Sequence, residues 1–416
     1  MKIYYFFIFL LLLLSTSLFA APKTLKKGVW YTELQLSDKD VLPFLFELKN
    51  TKGSLSFTIK NGEERILLSD IERKKDSLFV YFPAFDSEFR SKLHSNKHLS
   101  GYWINHEKKG NYRIPFWSKH EFKTKYPIEK TVAQVSGRWE VTFDYQGDQP
   151  YPAIGLFESN VIKSYTGQLL QNRITGTFLT ETGDYRFLEG ATIGDSLYLS
   201  AFDGAHAFLF KAQLREDTLW GTFLSGNHYK CQWFGVRNSA FQLQSPDSLT
   251  SLTSKSPLIF TLPSIDGGTY SYPNENLKGK VVLIQIMGTW CPNCLDESIY
   301  LKQLLHEYSK ELEIIAVSFE TPKTIDEKIE KVSAYRKNLN LPYTFLIGGD
   351  ACKPCATALF PMLSDITSFP TLLFIDKQGT IRKIHTGFNG PGTGNYYQEF
   401  VTSTQQFIEQ LVKEEF

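Results

Sequence analysis

The chain has 416 residues, more than one compact domain ordinarily holds, so two or three units are expected. Forty-five Lys and Arg against 44 Asp and Glu leave a formal charge of +1 with no basic run, which gives no reason to expect nucleic acid or an anionic membrane surface as a partner. Apolar residues at 42% and charged residues at 21% are those of an ordinary globular protein, and aromatics at 15% favour β structure.

Lys2 precedes an apolar run over 3–14, and small residues close the segment at Ala20-Ala21-Pro22. Residues 1–21 read as a secretory signal peptide, the run being short for a membrane anchor. No cysteine precedes Cys231, so no lipidated cysteine is expected at the cleavage site, and the mature protein is expected to be exported. Disulfides persist outside the cytoplasm, so a dithiol held reduced there needs an electron donor.

From 22 to 125 the pattern is strand-like: Leu55-Ser56-Phe57-Thr58-Ile59 alternates apolar with polar and runs into Asn61-Gly62, a type I′ hairpin signal. A second β-rich unit, 130–244, repeats the first. Gly28-Val29-Trp30 is echoed by Gly137-Arg138-Trp139, Asp76-Ser77-Leu78 by Asp195-Ser196-Leu197, and Leu99-Ser100-Gly101 by Leu219-Trp220-Gly221, in the same order and approximate spacing. The expected architecture is a duplicated antiparallel β region, barrel- or sandwich-like, with six to eight short strands per copy. Trp30, Trp103, Trp139, Trp220 and Trp233 either fill β cores, their usual role, or form a sugar- or lipid-binding surface. The sequence names no ligand for this region. His206 has no partner at ligand spacing, and Cys231 reads as a small buried apolar residue.

Residues 245–256 are Ser/Thr-rich and mark a linker. From 257 to 416 strands and helices alternate: strand 281–287, helix 292–309, strand 312–318, helix 324–338, strand 343–347, a helical insert over 352–363, strands 371–376 and 380–385, and a last helix over 397–414. This order predicts an α/β sandwich.

The chemistry concentrates at Thr289-Trp290-Cys291-Pro292-Asn293-Cys294, where an apolar strand meets a helix. Two cysteines at this spacing can close a short disulfide, and the first would sit at the helix N-terminus, where free N–H groups and the dipole favour a thiolate. That thiolate, expected to be exposed beside Trp290, attacks disulfides. Zinc sites use the same spacing, so the motif alone is of moderate specificity. About eighty residues later Ser368-Phe369-Pro370-Thr371 leads into a second apolar strand.

Trp-Cys-x-x-Cys after one strand and Pro-Thr before a later one together resemble the thioredoxin superfamily, over residues 257–416. Gly279, Lys280 and Glu297 bring the likeness closer to thiol–disulfide oxidoreductases of the TlpA/ResA type, periplasmic or membrane-associated, and 384–394 resembles their Bacteroidetes branch. The resemblance implies Cys291 as nucleophile, Cys294 as the resolving thiol, and a cis Pro370 beside them with the Phe369 backbone facing a bound peptide. Trp290, Pro292 and Asn293 would support the motif. Glu297 either exchanges a proton with Cys294 or merely complements the helix dipole. Gln285 stands where thioredoxins carry a buried aspartate, which raises the interest of Glu297.

Cys352 and Cys355 form a second C-x-x-C that the family pattern does not explain. They are a second redox pair, a clip at the start of the inserted helix, or half of a four-thiolate zinc site with the first pair. A closed metal site would silence the nucleophile, so no metal is assigned, and no cofactor is expected beyond the redox-active disulfide Cys291–Cys294. The expected activity is protein-disulfide reduction. Clients would be exported proteins with disulfides, electrons would come from a membrane thiol donor, and cytochrome c maturation is the service the family resemblance suggests. The alternatives are a β-rich surface-binding module with an accessory redox domain, or a peroxiredoxin-like peroxidase. For the latter, Gly288 occupies the position where a hydroxyl residue is needed.

Overall fold

The computed structural model describes residues 24–415 apart from 122–123, 128, 130–132 and 164–168; the expected signal peptide, 1–21, lies outside the described residues. The first β unit is one sheet of nine antiparallel strands: β1 (Gly28–Gln35), β2 (Val41–Thr51), β3 (Ser54–Asn61), β4 (Glu64–Leu68), β5 (Ile71–Lys74), β6 (Ser77–Tyr81), β7 (Ser87–Ser95), β8 (His98–Asn105) and β9 (Arg113–Lys119). Their order across the sheet is β4-β3-β2-β1-β9-β8-β7-β6-β5. The second unit has β10 (Gly137–Phe143), β11 (Tyr151–Lys163), β12 (Leu169–Thr180), β13 (Gly183–Asp184), β14 (Leu188–Ile193), β15 (Ser196–Phe202), β16 (Ala207–Arg215), β17 (Thr218–Ser225) and β18 (Tyr229–Arg237).

The copies match strand for strand, so each holds nine strands rather than six to eight. Gly28 and Gly137 open the two copies with φ of +112° and +115°. Two residues on, Trp30 and Trp139 are buried, and each indole N–H donates to the carbonyl four residues back, Lys26 and Val135, at 2.9 Å. The difference that decides closure lies at the fourth strand. In the second, β13 is only two residues long, so β14 reaches β12, pairing Arg173 with Ala191 through Gly176 with Leu188, and the sheet closes into a barrel. In the first, the five residues of β4 occupy that edge of β3, and the sheet stays open between β4 and β5. The Asn61-Gly62 signal does mark the β3–β4 hairpin. Of the turn's two central residues, Gly62 and Glu63, only Gly62 has positive φ, so it is not the type I′ turn expected.

Both interiors are filled with side chains. Phe44, Phe46, Phe57, Phe89 and Phe116 leave a void of about 10 Å³ in the first, room for about one water. Trp30, Trp103, Trp139 and Trp233 are core residues, whereas Trp220 is 42% exposed and lies against Phe234 and Tyr145. The two units pack through Phe202, whose ring lies 4.8 Å from Phe44 and 5.0 Å from Trp103.

The linker is laid down on the C-terminal lobe rather than free: Asp247 meets His385 at 2.7 Å and Lys383 at 3.0 Å, and Leu252 bridges to Leu363. After a hairpin, β19 (Phe260–Pro263) and β20 (Thr269–Tyr272), comes a five-stranded sheet built from β21 (Val281–Met287), β22 (Leu312–Glu320), β23 (Thr344–Asp350), β24 (Thr371–Ile375) and β25 (Ile381–Thr386). Its order is β23-β22-β21-β24-β25, with the first three parallel and β24 and β25 antiparallel to their neighbours. All seven residues of β21 are buried, as a strand covered on both faces requires. The helices are α1 (Pro292–Glu307), α2 (Ile325–Leu339), α3 (Lys353–Leu359) and α4 (Asn395–Lys413). The α3 helix stops short of the expected 363 because Pro361 disfavours helical backbone at Phe360. This is the expected thioredoxin-like α/β lobe.

Truncating Trp139 to Ala should cost about 3–5 kcal/mol. Trp220→Ala should stay within roughly 0.5 kcal/mol, urea denaturation followed by circular dichroism measuring both.

Candidate active site

The strand β21 ends at Met287, and Gly288, Thr289 and Trp290 carry the chain to Cys291. Glu320, fully buried at the end of β22, holds this link. One carboxylate oxygen accepts the Thr289 N–H at 2.8 Å and the Ser318 hydroxyl at 2.6 Å, and the other accepts the Thr289 hydroxyl at 2.7 Å. Lys331 lies 3.3 Å away as its counter-charge. Sequence reasoning missed Glu320; its only signal was an acid closing the apolar run of β22. The Trp290 indole donates to the Phe319 carbonyl at 2.9 Å, and its ring stands edge-on to Phe369 at 5.5 Å.

Cys291 is the N-cap of α1, with Pro292 as the first helical residue. Its sulfur accepts the Cys294 N–H at 3.2 Å, and its thiol points to the Phe369 carbonyl at 3.5 Å. A backbone donor aimed at sulfur is the arrangement an anionic sulfur needs. The Phe369–Pro370 bond is cis, and the loop is tied by Thr371, whose hydroxyl donates to the Ser368 carbonyl at 2.9 Å. Cys291, Cys294, Phe369 and Pro370 are therefore brought together. Both Cys291 and Cys294 are free thiols.

Cys291 is not exposed as expected. Only 7% of its surface is accessible, and Pro292 is buried as well. The expectation took the C-terminal lobe by itself, whereas the turn between β12 and β13 of the second barrel sits on Asn293, Ser368 and Gly387.

Cys294 is fully buried, and desolvation, then the neighbouring Cys291 sulfur, push its thiol well up, so it rests protonated. Glu297, one turn on, is also fully buried rather than facing solvent at the helix start, so the dipole reading gives way. Burial pushes its carboxyl up to about 8, partly offset by the Gln285 amide, which donates to it at 2.9 Å. The same amide N lies 3.3 Å from the Cys294 carbonyl, and the Gln285 oxygen accepts from Ser298 at 3.1 Å. Gln285 thus orients Glu297. A carboxyl that titrates near a thiol's range can take a proton or return it at little cost.

Cys352 and Cys355 are bonded to each other, which corrects the four-thiolate zinc reading. Cys352 caps α3 as Cys291 caps α1, its sulfur 3.0 Å from the Cys355 N–H. The pair follows β23, with β22 between it and the strand feeding Cys291, and both cysteines are half-buried. Cys231 lies in the core of the second barrel, and burial raises its thiol.

Glu297 stays protonated in the fold up to about pH 8, against an ordinary 4.5. The linked stability is therefore fully present below about 4.5 and is lost as pH rises through about 8. Glu297→Gln should flatten that loss in denaturation curves taken from pH 6 to 9. It should also slow the decay of a mixed disulfide on Cys291 by roughly a hundredfold, read by quenched-flow.

The family model described as AhpC/TSA family matches residues 255–384, a span that contains both cysteines and Pro370. Thioredoxin-like protein YneN of Bacillus subtilis is 33% identical over 129 residues, 31% of this chain and 68% of that protein. Thiol-disulfide oxidoreductase ResA of Geobacillus thermodenitrificans is 30% identical over 129 residues, 31% of this chain and 66% of that one. Among solved structures, a thiol:disulfide interchange protein of Chlorobium tepidum overlays 39% of this chain and 99% of its own at 19% identity, with a TM-score of 0.29. The chain thus spans about two thirds of the length of these two relatives, and the β units lie outside what they share. On the kinship of its C-terminal lobe, the chain belongs to the thioredoxin-like thiol–disulfide oxidoreductases of the TlpA/ResA type.

Proposed function

We propose that the protein reduces disulfides in exported proteins through the Cys291–Cys294 dithiol. The observation that carries this is the Cys294 N–H aimed at the Cys291 sulfur, beside the Phe369–Pro370 loop and one turn from a protonated Glu297. The Cys291 thiolate attacks a client disulfide; a Cys291–client bond forms and the other client sulfur leaves as a thiolate, which takes up a proton. Cys294 then gives its proton to the ionised form of Glu297, a minor but accessible form for a carboxyl held at about 8, and attacks the Cys291 sulfur. The second client sulfur leaves as a thiolate, which takes that proton. The client gains two electrons from the enzyme, one proton from Cys294 and one from solvent, and the enzyme is left as the Cys291–Cys294 disulfide.

A dithiol donor must then restore the enzyme, and a membrane thiol carrier fits an exported protein. Export and a periplasmic location rest on the residue pattern of 1–21, and service to cytochrome c maturation rests on kinship alone. Peroxidase chemistry is disfavoured because Gly288 offers no hydroxyl where a peroxidase needs one.

Cells carrying Cys294→Ala should accumulate mixed disulfides with clients, seen after thiol trapping, and Cys291→Ala cells should not; equal behaviour of the two would sink the assigned roles. We read Cys352–Cys355 as a clip. A four-residue loop contributes at most about 2 kcal/mol, so replacing both by Ser should lower stability by no more than that and leave insulin reduction intact. Loss of turnover without loss of stability would instead make it a relay.

A further inference from the structure

We propose that the tip of the β12–β13 hairpin, Thr180 to Asp184, is a displaceable strap lying in the client-docking groove, so that the conformation described here is a closed one. The proposal rests on the reading of Cys291 as the nucleophile that meets clients. Two loops and the first turn of α1 in the redox lobe touch this tip. The Ser368 hydroxyl donates to the Thr182 carbonyl at 3.3 Å, immediately before Phe369 and Pro370. Gly387, whose N–H donates to the Pro370 carbonyl at 2.8 Å, abuts Thr182 so closely that a Cβ there would lie 2.7 Å from its carbonyl carbon. Gly183 faces Asn293 with no room for a side chain, since a Cβ would fall 1.8 Å from the Asn293 amide nitrogen. Asp184 accepts the Gly390 N–H at 2.6 Å. A client cysteine approaching Cys291 across these loops meets the strap's backbone first.

The strap is held by polar contacts, not by apolar burial. Thr180, Glu181, Thr182, Gly183 and Asp184 include no large apolar side chain, and the core of the second barrel is a cluster separate from the one that fills the redox lobe. β13 adds only the pairs Leu179–Asp184 and Thr180–Gly183. An open cleft of about 420 Å³ borders the tip, bounded by Tyr151, Pro152 and Tyr185 of the barrel and by Asn293 of the motif, so solvent already reaches the tip's contact with α1. Polar contacts that water can replace, with few ladder bonds, place a segment at the low end of local opening energies.

The test follows alkylation of Cys291 by a bulky maleimide in the full chain, alongside insulin reduction. Gly183→Val forces the tip off Asn293, and Asp184→Ala removes the acceptor for Gly390. Each should raise the Cys291 alkylation rate by about tenfold or more while Cys231 stays protected. Insulin reduction should rise in step. If Gly183→Val fails to fold, Asp184→Ala decides. Unchanged alkylation in a folded variant, or a wild-type rate already equal to that of the urea-unfolded chain, overturns the strap. Faster alkylation with no insulin reduction in any form would uphold the strap and reject the reductase reading.

Discussion

The buried guanidinium of Arg186 joins the three units of the chain. It lies just past β13, with φ of +60°, and is 6% exposed. It contacts Asp296 of α1 at 2.7 Å, Glu64 of the first sheet at 2.6 Å and Asp203 of its own barrel at 3.3 Å, and lies 3.4 Å from the Pro292 carbonyl. A cation taken out of water costs several kcal/mol unless its partners are all in place. Asp203 is held near 2 despite the burial that opposes it, by His206 first and then by Arg186. Asp296 is instead pushed up to about 7, desolvation outweighing the guanidinium beside it. The junction balances the guanidinium with three carboxyl groups, although the Arg186 Nε and Asp203 Oδ2 meet only as an ion pair without a hydrogen bond, and it places the rim of the second barrel at the redox motif.

A second tie runs through the first sheet. Glu107 pairs with Lys331 at 2.5 Å and accepts the Thr321 hydroxyl at 2.8 Å, and Lys331 is also the counter-charge of Glu320. Through Glu320 this tie reaches Thr289, two residues before the nucleophile. The second barrel therefore touches Asn293 and Ser368 beside the motif directly, whereas the first sheet reaches Thr289 only through Lys331 and Glu320. Their interiors are packed with aromatic rings, so whatever they contribute comes from rims and outer faces, not from a ligand cavity.

Much of the C-terminal lobe was legible because its signals are local. The stretches 281–287 and 312–318 marked β21 and most of β22, and Cys291-Pro292 marked the start of α1, where a non-helical cap precedes a proline. Gln285 was legible as a departure from the thioredoxin pattern, and its amide does meet Glu297. The duplication was also legible, since Gly28 and Gly137 keep the same unusual φ and Trp30 and Trp139 the same indole bond. What escaped was contact at long sequence distance. Nothing in Glu181-Thr182-Gly183 announces that it lies against residues 293, 368 and 387, and nothing in Arg186 announces partners at 64, 203 and 296. The exposure expected for Cys291 was read without the second barrel, which lies against Asn293, two residues from the nucleophile.

The two copies diverge in how the sheet ends, at the strand that has five residues in the first and two in the second. Shortening it let the second sheet seal on itself without its last strand. The surplus hairpin end then carries main-chain donors and acceptors that no sheet claims. An edge of that kind is a hazard on a free surface, where it invites other chains to pair. Here another lobe of the same polypeptide receives it, so a duplication that freed a few residues from holding up a sheet also supplied a module able to grip its neighbour.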